Sequence, residues 1–183
     1  MLNKKEIIIL EKLIKKYSNN QDSKKIKYPL LDKGFSNEDI IEGIQVLISK
    51  NITMSNLTKK FENEFANYIG SKYALMVNSG SSANLLAAFA LINPNKKNNL
   101  KHGDKFIIPT LCWSTSLWPF IQCGLKPIFI DVDINNFGID ETLLTKKILN
   151  KSRAIVLIHV LGNSSNVKKI SDLARDNNIY LIE

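Results

Sequence analysis

Cysteine and histidine are scarce in this 183-residue chain, at two each. Cys112 and Cys123 do not form a CxxC pair, and with only His102 and His159 beside them no metal site is expected; the thiols read as free and buried. Arginine is nearly absent too, Arg153 and Arg175 being the only two among 25 basic residues. Base readout relies on arginine's bidentate fork, so a formal charge of +8 does not by itself make a nucleic-acid binder. The charge is also concentrated: residues 1–27 hold eight lysines against Glu6, Glu11 and Asp22, net +5, with +3 spread over the remainder. A solvated helix face accounts for it, and no nucleic-acid partner is expected. No apolar run approaches the roughly 18 residues of a membrane helix, and no secretory leader is recognisable. The expected location is the cytoplasm, without membrane association. Two nucleotide fingerprints are missing as well, GxGxxG after the first strand and GxxxxGK[ST] anywhere. That argues against Rossmann and P-loop readings.

What is present has an average globular composition, 44% hydrophobic and 23% charged, enough for one sizeable domain or most of a larger one. Residues 1–27 read as an amphipathic helix (Ile7, Leu10, Leu13, Ile14 and Tyr17 between lysines) followed by a polar linker. Residues 28–183 form the rest. Ser36 and Asp39 fit the capped start of a second helix, and Leu57–Ile69 reads as a third, closed by Gly70. From Tyr73 the pattern alternates. Strands are expected at Tyr73–Val77, Phe106–Pro109, Pro127–Val132, Ala154–Val160 and Ile179–Ile182, with helices near Ser81–Leu91, Ser114–Cys123, Glu141–Leu149 and Val167–Asn177. This predicts an α/β fold, a mainly parallel sheet with helices on both faces and its ligand crevice beyond the carboxyl ends of the strands. The last residues, Ile179–Glu183, read as an interior strand with nothing after it, so the domain is expected to be incomplete at its C-terminus.

The chemistry centres on Tyr73–Leu91, a strand-like YALMV, the turn NSGSSAN and the apolar helix LLAAFAL. First-turn amides have no intrahelical acceptor and carry partial positive charge, so Gly80, Ser81 and Ser82 make a natural anion cradle, or else a plain serine cap. Trp113, after the second strand, is placed either to stack on a flat ring or to pack in the core. Asp131 and Asp133 at a strand end read as turn residues or paired carboxylates, and His159 as structural or substrate-facing.

Three blocks in order, NITMSNLTKKFENEFANYIGSKYALMVNSGSSANLLAAFAL, GDKFIIPTLCWSTSLWPFIQCGLKPIFIDVD and SRAIVLIHVLGNSSNVKKISDLARDNNIYLIE, resemble the N-terminal half of the DegT/DnrJ/EryC1/StrS sugar aminotransferases. The resemblance covers about residues 28–183. It implies the large domain of fold type I pyridoxal-phosphate enzymes, with Gly80, Ser81 and Ser82 on the cofactor phosphate and Trp113 stacked on its ring. Thr53 and Ser55, flanking Met54, would lie near a bound sugar, although Ser55 stands where glycine is usual. Glu183 matches the residue before the aspartate that pairs with the ring nitrogen. Neither that aspartate nor the Schiff-base lysine has a counterpart in these 183 residues, so no catalytic residue is assigned. The resemblance further implies a nucleotide-linked keto sugar as substrate, an amino donor such as glutamate if the enzyme is an aminotransferase, a homodimer when intact, and a place in surface polysaccharide (LPS/O-antigen) synthesis. An aminotransferase is the first expectation. The string HVLGN at 159–163 is closer to the sugar 3-dehydratase branch, which is the second; a truncated, non-enzymatic interaction remnant is the third.

Overall fold

The computed structural model describes residues 2–18, 34–53 and 55–183. They fall into two compact units, residues 1–76 and 77–183.

The first unit is helical. Helix α1 (Lys4–Ser18) turns Ile7, Leu10 and Ile14 inward at helical spacing and packs on α2 (Asn37–Ser49). The start of α2 is the expected capping box: Asp39 N–H donates to Ser36 Oγ at 3.2 Å, and Ser36 N–H donates to Asp39 Oδ2 at 2.7 Å. Helix α3 (Asn56–Ile69) begins at Ser55, whose hydroxyl accepts from Thr58 N–H, and ends at Gly70 with φ 72°, where glycine avoids the Cβ penalty. The expected polar linker before residue 28 lies outside the described residues.

The second unit is the predicted α/β layer. Its elements are α4 (Gly80–Ile92), β1 (Lys105–Pro109), α5 (Ser114–Gln122), β2 (Lys126–Ile130), α6 (Lys146–Leu149), β3 (Ala154–Val156), α7 (Val167–Asp176) and β4 (Tyr180–Ile182). All four strands are parallel, in the order β2-β1-β3-β4. Strand β1 is central and buried from Phe106 to Pro109, as an unbroken apolar run requires. Alternate side chains point to opposite faces. Phe106, Ile108, Ala154 and Val156 pack under α4 and α5 with Ala88, Leu91 and Phe120, whereas Ile107, Ile155 and Leu157 pack under α6 and α7 with Leu149, Ile170 and Ala174. Phe106 and Phe120 meet with ring centroids 5.1 Å apart.

Three expectations need correction. Residues 73–77 have no assigned secondary structure and join no ladder among the described residues, and Tyr73 and Leu75 are 77% and 72% exposed. Local sequence supplies β-propensity; a strand also needs a partner. The single helix expected at 141–149 is two pieces, a 3-10 turn at Glu141–Leu143 and the short α6. Leu144 and Leu149 are both buried in one core, yet five residues apart lie roughly 140° around a continuous helix, so the chain breaks at Leu144 (φ −75°, ψ 61°) to bury both. Finally β3 stops at Val156, and Val160–Gly162 forms a 3-10 turn in which Leu161 takes a left-handed φ of 54°.

Candidate functional site

The first turn of α4 is built from small residues. Ser79 caps it, accepting from Ser82 N–H at 3.2 Å and donating its own hydroxyl to Ser82 Oγ at 3.2 Å. Gly80 and Ser81 N–H have no acceptor among the described residues, and a side-chain carbon added at Gly80 would meet nothing within 4 Å. Two free amides, an exposed Ser81 hydroxyl and open space above glycine fit a phosphate. Ser81 and Ser82 also line an open depression of about 260 Å³ with Thr115, Trp118 and Gln122.

Trp113 follows β1. It stands at the N-cap of α5 with no side-chain cap bond and is 75% exposed, so it is not a core tryptophan. A residue that cannot cap occupies a capping position, and a large indole is left in solvent. An exposed indole at a strand-to-helix corner has the shape and chemistry to cover a flat ligand. The two segments are held together: Asn84 Nδ2, one turn into α4, donates to Thr115 O at the start of α5 at 3.0 Å. The first turns of α4 and α5 therefore lie side by side at the carboxyl end of β1, where ligands of parallel sheets collect.

The other strand ends complete this edge. Thr110 Oγ1 donates to Asp131 Oδ1 at 3.3 Å, joining the ends of β1 and β2, and the same oxygen accepts Val132 N–H at 2.8 Å. Asp133 Oδ1 accepts from Asn135 N–H and Nδ2, so both aspartates serve turns rather than forming an acid/base pair. His159 Nε2 lies 3.1 Å from Glu183 Oε2, linking the ends of β3 and β4; His159 Nδ1 is buried without a protein partner. Beyond it, Leu161 is 95% exposed.

Cys112 and Cys123 are free but only half-buried, and that burial raises both thiol pKa values, which keeps them protonated and unreactive at neutral pH. Thr53 is exposed in the first unit; Ser55 there is buried, with its hydroxyl on the α3 cap, and Met54 lies outside the described residues. Sequence reasoning missed the Asn84–Thr115 and His159–Glu183 pairs. Only Pro119, inside an otherwise helical run, marked the first of them.

A family model described as the DegT/DnrJ/EryC1/StrS aminotransferase family matches residues 35–183. The chain belongs to this family. Within it, the GDP-4-keto-6-deoxy-D-mannose 3-dehydratase of Escherichia coli O55:H7 (strain CB9615 / EPEC) is 40% identical over 158 residues, 86% of this chain and 40% of that one. The lipopolysaccharide biosynthesis protein RfbH of Salmonella typhimurium (strain LT2) is 39% identical over 133 residues, 72% of this chain and 30% of that one. A solved structure of the E. coli GDP-4-keto-6-deoxy-D-mannose-3-dehydratase with bound hydrated PLP superimposes with a TM-score of 0.78 at 40% identity, covering 84% of this chain and 39% of that one. The fold is thus that of fold type I pyridoxal-phosphate enzymes, and the chain spans about 40% of the length of the 3-dehydratase it matches. Among the described residues no helix is long and apolar enough to cross a membrane.

Proposed function

We propose that this chain is the cofactor-binding portion of a cytoplasmic, homodimeric pyridoxal-phosphate enzyme that removes the 3-hydroxyl from a nucleotide-linked 4-keto-6-deoxy sugar, a step toward surface polysaccharide. The observation that carries it is the 40% identity to a 3-dehydratase over 86% of the chain, coinciding with a free-amide cradle and an exposed Trp113. Bound pyridoxal phosphate would supply an electron sink, which lets a proton leave a carbon joined to it.

This chain's residues bind and orient. Gly80 and Ser81 amides with the Ser81 and Ser82 hydroxyls hold the phosphate; the dipole of α4 favours its charge. Trp113 covers one face of the ring and excludes water from it. His159 stands at the carboxyl edge of the sheet, fixed there by Glu183. Thr53 and Ser55 are proposed as sugar-side residues. Glutamate, oxidised at its C–N bond to the 2-oxo acid with release of ammonia, would supply through the cofactor the two electrons that replacing C3–O by C3–H requires.

The description of the family model favours a second reading, transfer of an amine to the keto sugar. Both readings are tested by giving the full-length protein pyridoxal phosphate, glutamate and a GDP-4-keto-6-deoxy sugar, then weighing the sugar product. Loss of the 3-hydroxyl oxygen with no nitrogen gained supports the dehydratase. A product carrying a new amine supports the aminotransferase, and unchanged sugar with no cofactor spectrum contradicts both.

A further inference from the structure

We propose that Asn84 is a positioning residue that fixes the phosphate-facing turn of α4 against the loop carrying Trp113, an inference that rests on the cofactor reading above. In a helix, the carbonyl of Thr115 should accept from the amide of residue 119. That residue is Pro119, which has no N–H and whose ring crowds the carbonyl four residues before it. Helix α5 therefore presents one carbonyl without its i+4 amide donor, and Asn84 Nδ2 donates to that carbonyl from α4 at 3.0 Å. Asn84 is half-buried and Pro119 buried, so water is a poor substitute on the proline side.

The consequence is geometric. Asn84 lies one turn beyond Gly80–Ser82 on the same rigid helix, and Thr115 lies two residues beyond Trp113. One hydrogen bond thus sets the spacing between phosphate cradle and stacking ring. A proline at 119 and an amide at 84 are two halves of one device: the proline frees the carbonyl, and the asparagine uses it to couple the helices. Merely satisfying a carbonyl would need neither residue, because alanine at 119 would do so within α5.

That difference gives the test. In the full-length protein, N84A, P119A and N84A/P119A are compared for thermal stability, pyridoxal-phosphate affinity and the circular dichroism of the bound cofactor's visible band. N84A is expected to lower the melting temperature, weaken affinity about tenfold and at least halve the dichroism. N84A/P119A is expected to recover the melting temperature while keeping the weak affinity and the small dichroism, because the carbonyl is satisfied but the helices are untied. Recovery of all three in the double variant overturns the inference and leaves Asn84 a structural residue, as does wild-type affinity and dichroism in N84A. If N84A does not fold, the comparison of N84A/P119A with P119A makes the same decision. A wild-type protein that takes up no cofactor overturns the cofactor reading itself, an outcome told apart because it appears before any substitution.

Discussion

At Trp113 the chain gives up a helix cap and exposes an indole, as a residue that covers a cofactor ring would. Trp113→Ala should therefore not harm folding, but should weaken pyridoxal-phosphate binding by the value of one aromatic stack, about 0.5–1.5 kcal/mol or roughly two- to tenfold in Kd. Equilibrium titration of cofactor absorbance reads this. Ser81→Asp puts a negative charge where the phosphate is expected and should weaken binding by at least about tenfold. Gly138 is a stability position: a Cβ there would run into Ser165 Oγ, a buried hydroxyl without a partner. Gly138→Ala should cost about 1–3 kcal/mol in chemical unfolding. Of these residues, the Gly80–Ser82 turn was legible as a helix start because small and hydroxyl residues before an apolar run are local signals. Trp113 was not legible from position alone, since strand-to-helix corners hold both core and exposed aromatics. His159 with Glu183 was invisible because the pairing depends on β3 and β4 being neighbours.

The helices of the first unit were readable almost to the residue because caps are local chemistry. Asp39 makes this testable. Its carboxylate accepts the Ser36 backbone N–H and a further bond from the Ser36 side chain, which together hold its pKa below the ordinary aspartate value. A depressed folded pKa means that the cap contributes fully above the unfolded value, about 3.9, and is lost as pH falls through the lower folded value. Hydrogen-exchange protection at the start of α2 should fall over that acidic window in the wild type and be flat in Asp39→Asn. Ser55 separates cap from substrate contact: Ser55→Ala should cost about 1 kcal/mol through the α3 cap. Unchanged KM for the sugar would assign Ser55 to the cap alone. Two elements escaped the sequence for a shared reason. The break at Leu144 is imposed by burial of Leu144 and Leu149 in one core, and residues 73–77 lack a described neighbour to pair with. Tertiary partners decide both, and periodicity cannot report them.

For the molecule as a whole, the parallel sheet brings residues far apart in sequence to one edge: Thr110 with Asp131, Asn84 with Thr115, and His159 with Glu183. The alternation of strand and helix was enough to place that edge at the carboxyl ends of the strands, because parallel strands joined by helices leave their loops there. The reaction was less legible than the fold. Phosphate and ring contacts serve every chemistry of a pyridoxal-phosphate enzyme, and the choice between losing a hydroxyl and gaining an amine falls on groups that the described site does not contain. The order of the two readings accordingly follows the relatives: an aminotransferase was expected first, and identity to a 3-dehydratase favours the second. The central claim is that the Gly80–Ser82 turn and Trp113 form one cofactor site. Its most direct measurement is the titration of the full-length protein with pyridoxal phosphate, following both the cofactor's visible band and tryptophan fluorescence, with and without Trp113→Phe in a Trp118→Phe background that silences the other indole beside Ser81 and Ser82. Saturable binding with quenching that largely disappears in Trp113→Phe, whose ring still stacks, is the predicted result. Binding with undiminished quenching in that variant, or no binding at all, would contradict it.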